Sequence, residues 1–470
     1  MPKTELGYKH SIWLETVTPV AIGDGGTLSP SADYTLNPQN KRSAWLLDHK
    51  KFESSLLAQN PAALTDYLNA VKENAGNNRN AFLYQFLSKY HNQKEAKSYF
   101  NAERTIVGDA HTVELKTCLK DAGRPFIPGS TLKGAFKSVW LHNWLSDNPV
   151  KVNDIVQSIN GAHDEKEARK EIEKVIVECL DDRPSQDKRM QFSTLQVSDA
   201  YCDGDLKWYH TKRFKLSKDD KTVVPLFLEA IAPSAEGAFS VMVENNNLVQ
   251  TNHGWIKSLE IDSLVPFFAQ VNQYALDNIK HELEMTQAGE LGEYKQFLGE
   301  LKSEIIASKN QSAWLLVGFG KSNFYQSIGL FIRSKNKEVF EKYIKLFKMG
   351  KSPKREKGET DQKELPLTRN LTIEGHLPLG WIKMSDNTSA FSEPKAVDHF
   401  NHGDEVEATV VSIDRPFSRI KIPGADGLVS MSGTRDALKN PRFKQQVVVV
   451  VKIDVNQEGL ITQSRFVRVK

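Results

Sequence analysis

Apolar and polar positions alternate through the first fifty residues in the manner of β-strands. In HSIWLETVTPVAIG (10–23), Ile12, Leu14, Thr16 and Thr18 share one parity, while Trp13, Glu15 and Val17 share the other. ADYTLNP (32–38) and SAWLLDHKKF (43–52) repeat the pattern, and IGDGGTLSPSAD (22–33) predicts a turn-rich loop. Residues 52–105 read as a polar, helical insertion, and RPFIPGS (124–130) as an extended segment leading into a helix. Residues 150–192 are charged and helical, followed by a strand in FSTLQVSDAY (192–201). VPLFLEAIAPSAEGAFSVMVE (224–244) predicts two strands joined by a turn at Pro233 to Gly237. A helical stretch follows from about 260 to 309. AWLLVGFGKSNFYQSIGLFI (313–332) then reads as strand, glycine loop and strand, and LPLGWIKM (377–384) closes this part. The mixed-charge tract at 349–365 has nothing to bury and predicts a flexible loop. Residues 401–470 carry five short alternating runs with glycine turns, the pattern of a small antiparallel barrel.

The segment FIPGSTLKGAFK (126–137) opens the first long helix. Leu132, Ala135, Phe136, Val139, Trp140 and Trp144 fall at core-facing spacing. Ser130 is placed as its N-cap after the Pro128-Gly129 turn, and Lys133 and Lys137 lie one turn apart on the opposite face. Unsatisfied backbone N–H groups, the helix dipole and two lysines favour an anion at this end. On spacing alone, an ordinary capped helix with solvated lysines is the plainer reading. A nucleotide-hydrolase loop is excluded here, because Gly129 and Gly134 are followed by Ala135 and Phe136 in place of the Lys-Ser/Thr pair. Gly320-Lys321-Ser322 fails the same pattern, since Leu315 stands where its first glycine is required.

Two further glycine segments suit close backbone approach. Gly23, Gly25 and Gly26 of IGDGG could pass near a phosphate, with Asp24 either a turn residue or a carboxylate available for chemistry. GFGKSNFY offers Gly318, Gly320 and Lys321 for backbone contact, with Phe324 and Tyr325 for base stacking; the alternative is a tight hairpin that buries one of those rings.

Composition narrows the class. The chain has 470 residues, 39% hydrophobic and 26% charged, enough for several packed domains. Its longest apolar runs, such as VVVVVKI, fall far short of the ~20 residues that span a bilayer. The start MPKTELGYKH has no apolar signal region, and three scattered cysteines fit a reducing compartment, so a soluble cytoplasmic protein without membrane partners is expected. Net charge is only +3, and residues 401–470 hold 11 Lys and Arg against 8 Asp and Glu, so the remaining 400 residues balance. Such a chain does not coat DNA nonspecifically but can carry local RNA grooves. The 12 histidines form no metal-ligand spacing, and no Ser-His-Asp order or G-x-S-x-G elbow occurs. No catalytic residue, metal or cofactor is expected.

The three glycine segments occur in order, each after a strand, and together they resemble the RAMP proteins, the repeat-associated RNA-binding proteins of CRISPR systems. LETVTPVAIGDGG resembles their opening, FIPGSTLKGAFKS their I-P-G-S-[ST]-[LI]-K-G-[AR] element, LLVGFGKSNFYQSIGL their C-terminal glycine-rich loop, and LQVSDAY a further common segment. The start, the late glycine loop and LPLGWIKM are most similar to the fifth Csm subunit of type III-A effectors. The resemblance implies an α+β fold of two ferredoxin/RRM-like units with helical insertions, at 1–222 and 223–398. It implies that Gly23, Gly25, Gly26, Gly129, Ser130, Thr131, Lys133, Lys137, Gly318, Gly320, Lys321, Phe324 and Tyr325 border a groove for CRISPR RNA. It further implies capping of the guide's 3′ end, contact with the adjacent backbone subunit and other Csm subunits, and 3′ maturation with recruited host nucleases. Asp24 stands in a different loop context from the sister subunit's nuclease Asp and takes no such role. Residues 401–470 resemble the ribosomal-protein-S-one type of OB-fold, which implies RNA contact through Phe417, Arg419 and Lys421. The competing reading is a RAMP endoribonuclease that processes precursor guide RNA, with His10 or His142 as general base or acid.

Overall fold

The computed structural model describes residues 7–57, 61–74, 82–108, 114–180, 195–217, 225–244, 258–259, 263–319, 321, 325, 327–349, 365, 368–386, 405–412, 418–421, 429–432, 448–455 and 461–469. The chain divides into two units, Met1–Asp386 and Asn387–Lys470.

Two eight-stranded sheets form the first unit among the described residues. In the first sheet the strands run in the order Ser312–Leu316, Trp381–Asp386, Gly7–Thr16, Glu236–Glu244, Ala200–Asp203, Arg124–Ile127 and Lys120–Asp121, with Leu195–Val197 also on Glu236–Glu244. The second runs Gly23–Leu28, Leu115–Cys118, Pro225–Ile231, Leu206–Lys215, Phe100–Val107, Ser43–Leu47 and Tyr34–Leu36, with Thr368–Thr372 also on Leu206–Lys215. The alternation of the opening strand is realised directly: Ile12 and Leu14 are fully buried, and Trp13 and Glu15 are half-buried on the other face.

The main core lies where the first sheet meets the helices Gly129–Asp147 and Val265–Met285. Phe136 packs edge-on against Phe267 at 5.2 Å and stacks with Phe239 of the sheet. Full burial of a side chain of this size stabilises by about 1.5–3 kcal/mol. A second core gathers Trp314 and Trp381 with Tyr294, Leu298 and Leu301 of the Gly292–Ala307 helix.

Five expectations are corrected. Gly23–Leu28 is an exposed strand paired with Leu115–Cys118, not a turn-rich loop. The runs at 225–231 and 236–244 are strands of different sheets and do not pair with each other. Backbone and hydroxyl contacts of Thr16 with Ala232, Ser234 and Ala235 hold the crossover between them. The segment after the third glycine loop is a helix, Gly329–Lys335, because a short, wholly buried apolar run has no diagnostic periodicity. The polar insertion is helical as expected at Pro61–Asn74, Phe82–Leu87 and Gln93–Lys97, but ends in the strand Phe100–Val107. Both sheets draw strands from either side of residue 222, so the boundary expected there runs through continuous hydrogen-bonded ladders. Residues 350–364 of the charged tract lie outside the described residues.

The second unit is a closed barrel of Glu405–Ser412, Ser418–Lys421, Val429–Ser432, Ile461–Val469 and Val448–Val455, in that spatial order. Its pairs are antiparallel except Val429–Ser432 with Ile461–Val469, which are parallel. Among the described residues no helix is long and apolar enough to cross a membrane.

Candidate nucleic-acid interface

The Gly129–Asp147 helix starts two residues earlier than its sequence suggests. Pro128 is the N-cap and makes no side-chain cap bond, so Ser130 lies inside the first turn. The first N–H is instead taken by Asp199, whose carboxylate accepts from Gly129 N at 2.7 Å. A carboxylate at a helix N-terminus meets the positive end of the dipole, so the protein's own anion occupies part of the site expected for a ligand. Asp199 escaped the sequence reading because nothing in LQVSDAY signals a partner 70 residues away.

Gly129 is required by this contact region. A Cβ there would fall well inside the van der Waals boundary of the Val197 carbonyl oxygen. Lys133 is drawn to the same strand, its Nζ donating to Leu195 O at 2.6 Å. Gly129→Ala is therefore expected to lower stability by about 1–3 kcal/mol, the usual range for overpacking against an unyielding neighbour. Gly134→Ala, where a Cβ meets nothing within 4 Å, is expected to be neutral or to stabilise by about 0.5–1 kcal/mol. Urea denaturation of the two variants side by side checks both signs.

The third glycine segment is also shaped by chain packing. Gly318 has φ +67°, and a Cβ would come 2.5 Å from Ala21 O and from Ile22 Cδ1. Phe319 N donates to Ala21 O at 2.8 Å, so the chain just before the first glycine segment rests on the third segment. Gly23, Gly25 and Gly26 themselves are exposed, and Asp24 is spent locally: its carboxylate accepts from Thr117 Oγ1 at 2.5 Å and from Gly26 N at 2.8 Å. Partial desolvation opposes ionisation, but the Thr117 and Gly26 hydrogen bonds and Lys120 outweigh it and hold Asp24 below the usual carboxylate range.

Lys321 is buried, 9% exposed, and desolvation pushes its pKa down to about 8. Tyr325 is fully buried and presents no ring face for base stacking, which corrects its expected role. Its hydroxyl donates to Glu282, and its ring lies 4.7 Å from the Arg369 guanidinium. Gly320, Phe324 and Phe417 lie outside the described residues. Arg419 and Lys421 are on the barrel strand Ser418–Lys421, where Lys421 stands opposite Thr409 and Arg419 opposite Ser430.

The second and third motifs meet at a cavity of about 630 Å³. The first turns of the Gly129–Asp147 helix contribute Ser130, Thr131 and Lys137, and the third segment contributes Gly318 and Lys321. Arg169 and Ile172 of the Glu165–Leu180 helix form another wall, and Tyr343 and Phe347 the last. Gly23, Gly25, Gly26 and Lys133 do not line it. Arg169 and Phe347 were invisible to motif reading because they sit in charged or amphipathic helices with no signature of their own.

The histidines weighed as acid–base groups are both engaged. His10 Nε2 is 2.6 Å from Leu259 O, and His142 Nε2 is 2.9 Å from Asp277 Oδ2. Burial works against the Asp277 charge, but His142 and Gln273 hold its carboxyl below the usual range. Among the described residues no group of His, Cys, Asp and Glu could hold a metal ion.

Residues 13–324 match the RAMP superfamily. A curated relative, the "CRISPR system Cms protein Csm5" of Methanocaldococcus jannaschii, is 24% identical over 409 residues, spanning 81% of this chain and 89% of its own. Among solved structures, a chain in the cryo-EM structure of a Csm–crRNA–target RNA ternary complex of a type III-A CRISPR–Cas system aligns with a TM-score of 0.57. The alignment has 21% identity and covers 80% of this chain and all of that one. The crystal structure of T. onnurineus Csm5 aligns with a TM-score of 0.50 at 18% identity, covering 79% of this chain and 99% of its own. At these identities the structural likeness is one of fold.

Proposed function

The chain belongs to the RAMP superfamily, and on that footing we propose that it is a non-catalytic RNA-binding subunit of a type III-A CRISPR–Cas effector complex. In this reading it caps the 3′ end of the CRISPR RNA and contacts the adjacent backbone subunit, with host nucleases recruited for maturation. The observation that carries it is the convergence of the second and third glycine motifs on one cavity whose wall presents Lys137, Arg169 and Lys321. Cationic and apolar side chains lining one cavity suit a phosphodiester chain whose bases are unstacked, the form in which proteins read single-stranded RNA. The likeness in fold to a chain of a Csm–crRNA–target RNA complex is consistent with this reading. The barrel at 405–469 closes in the strand order one, two, three, five, four, which supports an OB-type domain as a second RNA-contacting module.

Binding of labelled mature and precursor guide RNA to the purified chain, with and without magnesium, tests the proposal. Binding without cleavage is expected. Lys137→Gln with Arg169→Gln should reduce the slope of log affinity against log salt by roughly 1.4, at about 0.7 per phosphate contact on a single strand. Metal-independent cutting at a fixed position in the repeat would replace the capping role with that of a processing endoribonuclease.

A further inference from the structure

The cavity between the two motifs has a lining that a passing RNA backbone does not need. Its polar and cationic groups, Ser130, Thr131, Lys137, Arg169 and Lys321, are joined by an apolar set that includes Leu141, Ile172, Ile176, Ile328 and Phe347. On the Gly129–Asp147 helix, the lining positions run from Ser130 to Leu141 along one stripe. At 1.5 Å per residue this extends about 16 Å, hydroxyls at the start and leucine at the end. On the opposite wall Phe347 lies 4.6 Å from Tyr343, centroid to centroid, and the Arg169 guanidinium lies 5.9 Å from the Phe347 ring.

These features name a ligand class. Inorganic phosphate would leave the apolar part empty, and a hydrocarbon would leave the lysines and hydroxyls unused. A nucleotide uses both, with phosphate on the cations, ribose on the serine and threonine hydroxyls, and base on the aromatic shelf. The volume, about 630 Å³, lies within the range of pockets that enclose a small ligand. Three cationic side chains and the single carboxylate of Glu173 stand on the described wall, and Arg169 is also paired with Glu165 at 2.6 Å, so Lys137 and Lys321 supply the excess positive charge.

We propose that this cavity receives a single unstacked nucleotide, its phosphate between Lys137, Arg169 and Lys321 and its base against Phe347. In the RNA-binding reading, on which this inference rests for its biological meaning, that nucleotide belongs to the bound guide.

Two measurements on the full chain test it. In the first, binding of each of the four nucleoside 5′-monophosphates is followed by thermal shift and by ligand-observed NMR, with inorganic phosphate as comparison. At least one monophosphate is expected to bind, and at least about tenfold more tightly than phosphate, because stacking on an aromatic ring supplies about 1–3 kcal/mol. Phe347→Ala is expected to remove that preference. Arg169→Gln, which alters a side chain that is 57% exposed, is expected to weaken both ligands.

In the second, guide RNAs carrying 2-aminopurine at successive positions are scanned. One position is expected to brighten on binding, and to lose that response in Phe347→Ala or, should that variant not fold, in Arg169→Gln. RNA that binds with every position silent, together with no monophosphate binding, would overturn the nucleotide pocket while leaving RNA binding in place. Monophosphate binding lost in these variants, with no RNA bound, would uphold the pocket and remove the guide-binding function.

Discussion

Replacing Arg369 with methionine is expected to destabilise the Met1–Asp386 unit by about 3–5 kcal/mol, the usual cost of leaving one member of a buried ion pair without its partner. Arg369 on Thr368–Thr372 and Glu282 on Val265–Met285 are 6% and 5% exposed at their side chains. Arg369 Nε donates to Glu282 Oε1 at 2.8 Å, and the hydroxyls of Tyr294 and Tyr325 donate to the same carboxylate. Burial alone would raise the Glu282 pKa, but Arg369 and the two tyrosines outweigh it and hold the carboxyl below its ordinary value.

Without the guanidinium, Glu282 must either stay charged in the core or take up a proton. Tyr325 would lose its place at the end of the third glycine segment in either case. The double variant Glu282→Leu/Arg369→Met removes both charges and should recover most of the loss, since apolar replacement of a whole buried pair is commonly neutral or better. Chemical denaturation of the three proteins checks this. A single variant within about 0.5 kcal/mol of the parent, as for an ordinary surface change, would show that the pair contributes little.

The second large effect is on pH. His281 faces the same cluster, its Nδ1 3.1 Å from the Tyr325 hydroxyl. Desolvation, with the nearby charge of Arg333 and Arg369, pushes its pKa down to about 4, while Glu282 and Glu284 pull the other way. An unfolded chain protonates this ring near pH 6.5. Below that pH the unfolded state binds a proton that the native state does not, so the contribution is complete above pH 6.5 and declines as the pH falls toward 4. The loss reaches up to about 3 kcal/mol at the lower limit. Denaturant midpoints measured from pH 7.5 to 4.5 should fall more steeply for the parent than for His281→Gln. Equal slopes would mean that the ring titrates normally in the fold.

Both effects concern residues that no local pattern marks. Glu282 and Arg369 are 87 residues apart, and Tyr325, which follows a glycine-lysine segment, has the local pattern of a stacking platform. Its actual role follows from a requirement met only in three dimensions, that a buried carboxylate be surrounded by donors. Asp199 at the helix start is a similar case. The serine inside that helix has the residue type of a cap, yet the carboxylate arrives from the link that follows the strand Leu195–Val197, which the Leu195 and Val197 contacts bring alongside.

What the sequence by itself determined is everything set by periodicity and by missing residue types. The parity of Ile12 and Leu14 specifies a strand with one core face, and the spacing from Leu132 to Trp140 specifies a core helix. The absence of Lys-Ser/Thr after Gly134 removes the nucleotide-hydrolase phosphate-loop motif at this helix start. Tertiary structure decided what the glycines are for. Gly129 and Gly318 admit neighbouring backbone at Val197 and Ala21, and the cavity beside them is walled by Lys137, Arg169, Lys321 and Phe347. A sequence records which face of an element is buried. Which carbonyl or cation meets that face depends on long-range packing, and local spacing carries no trace of it.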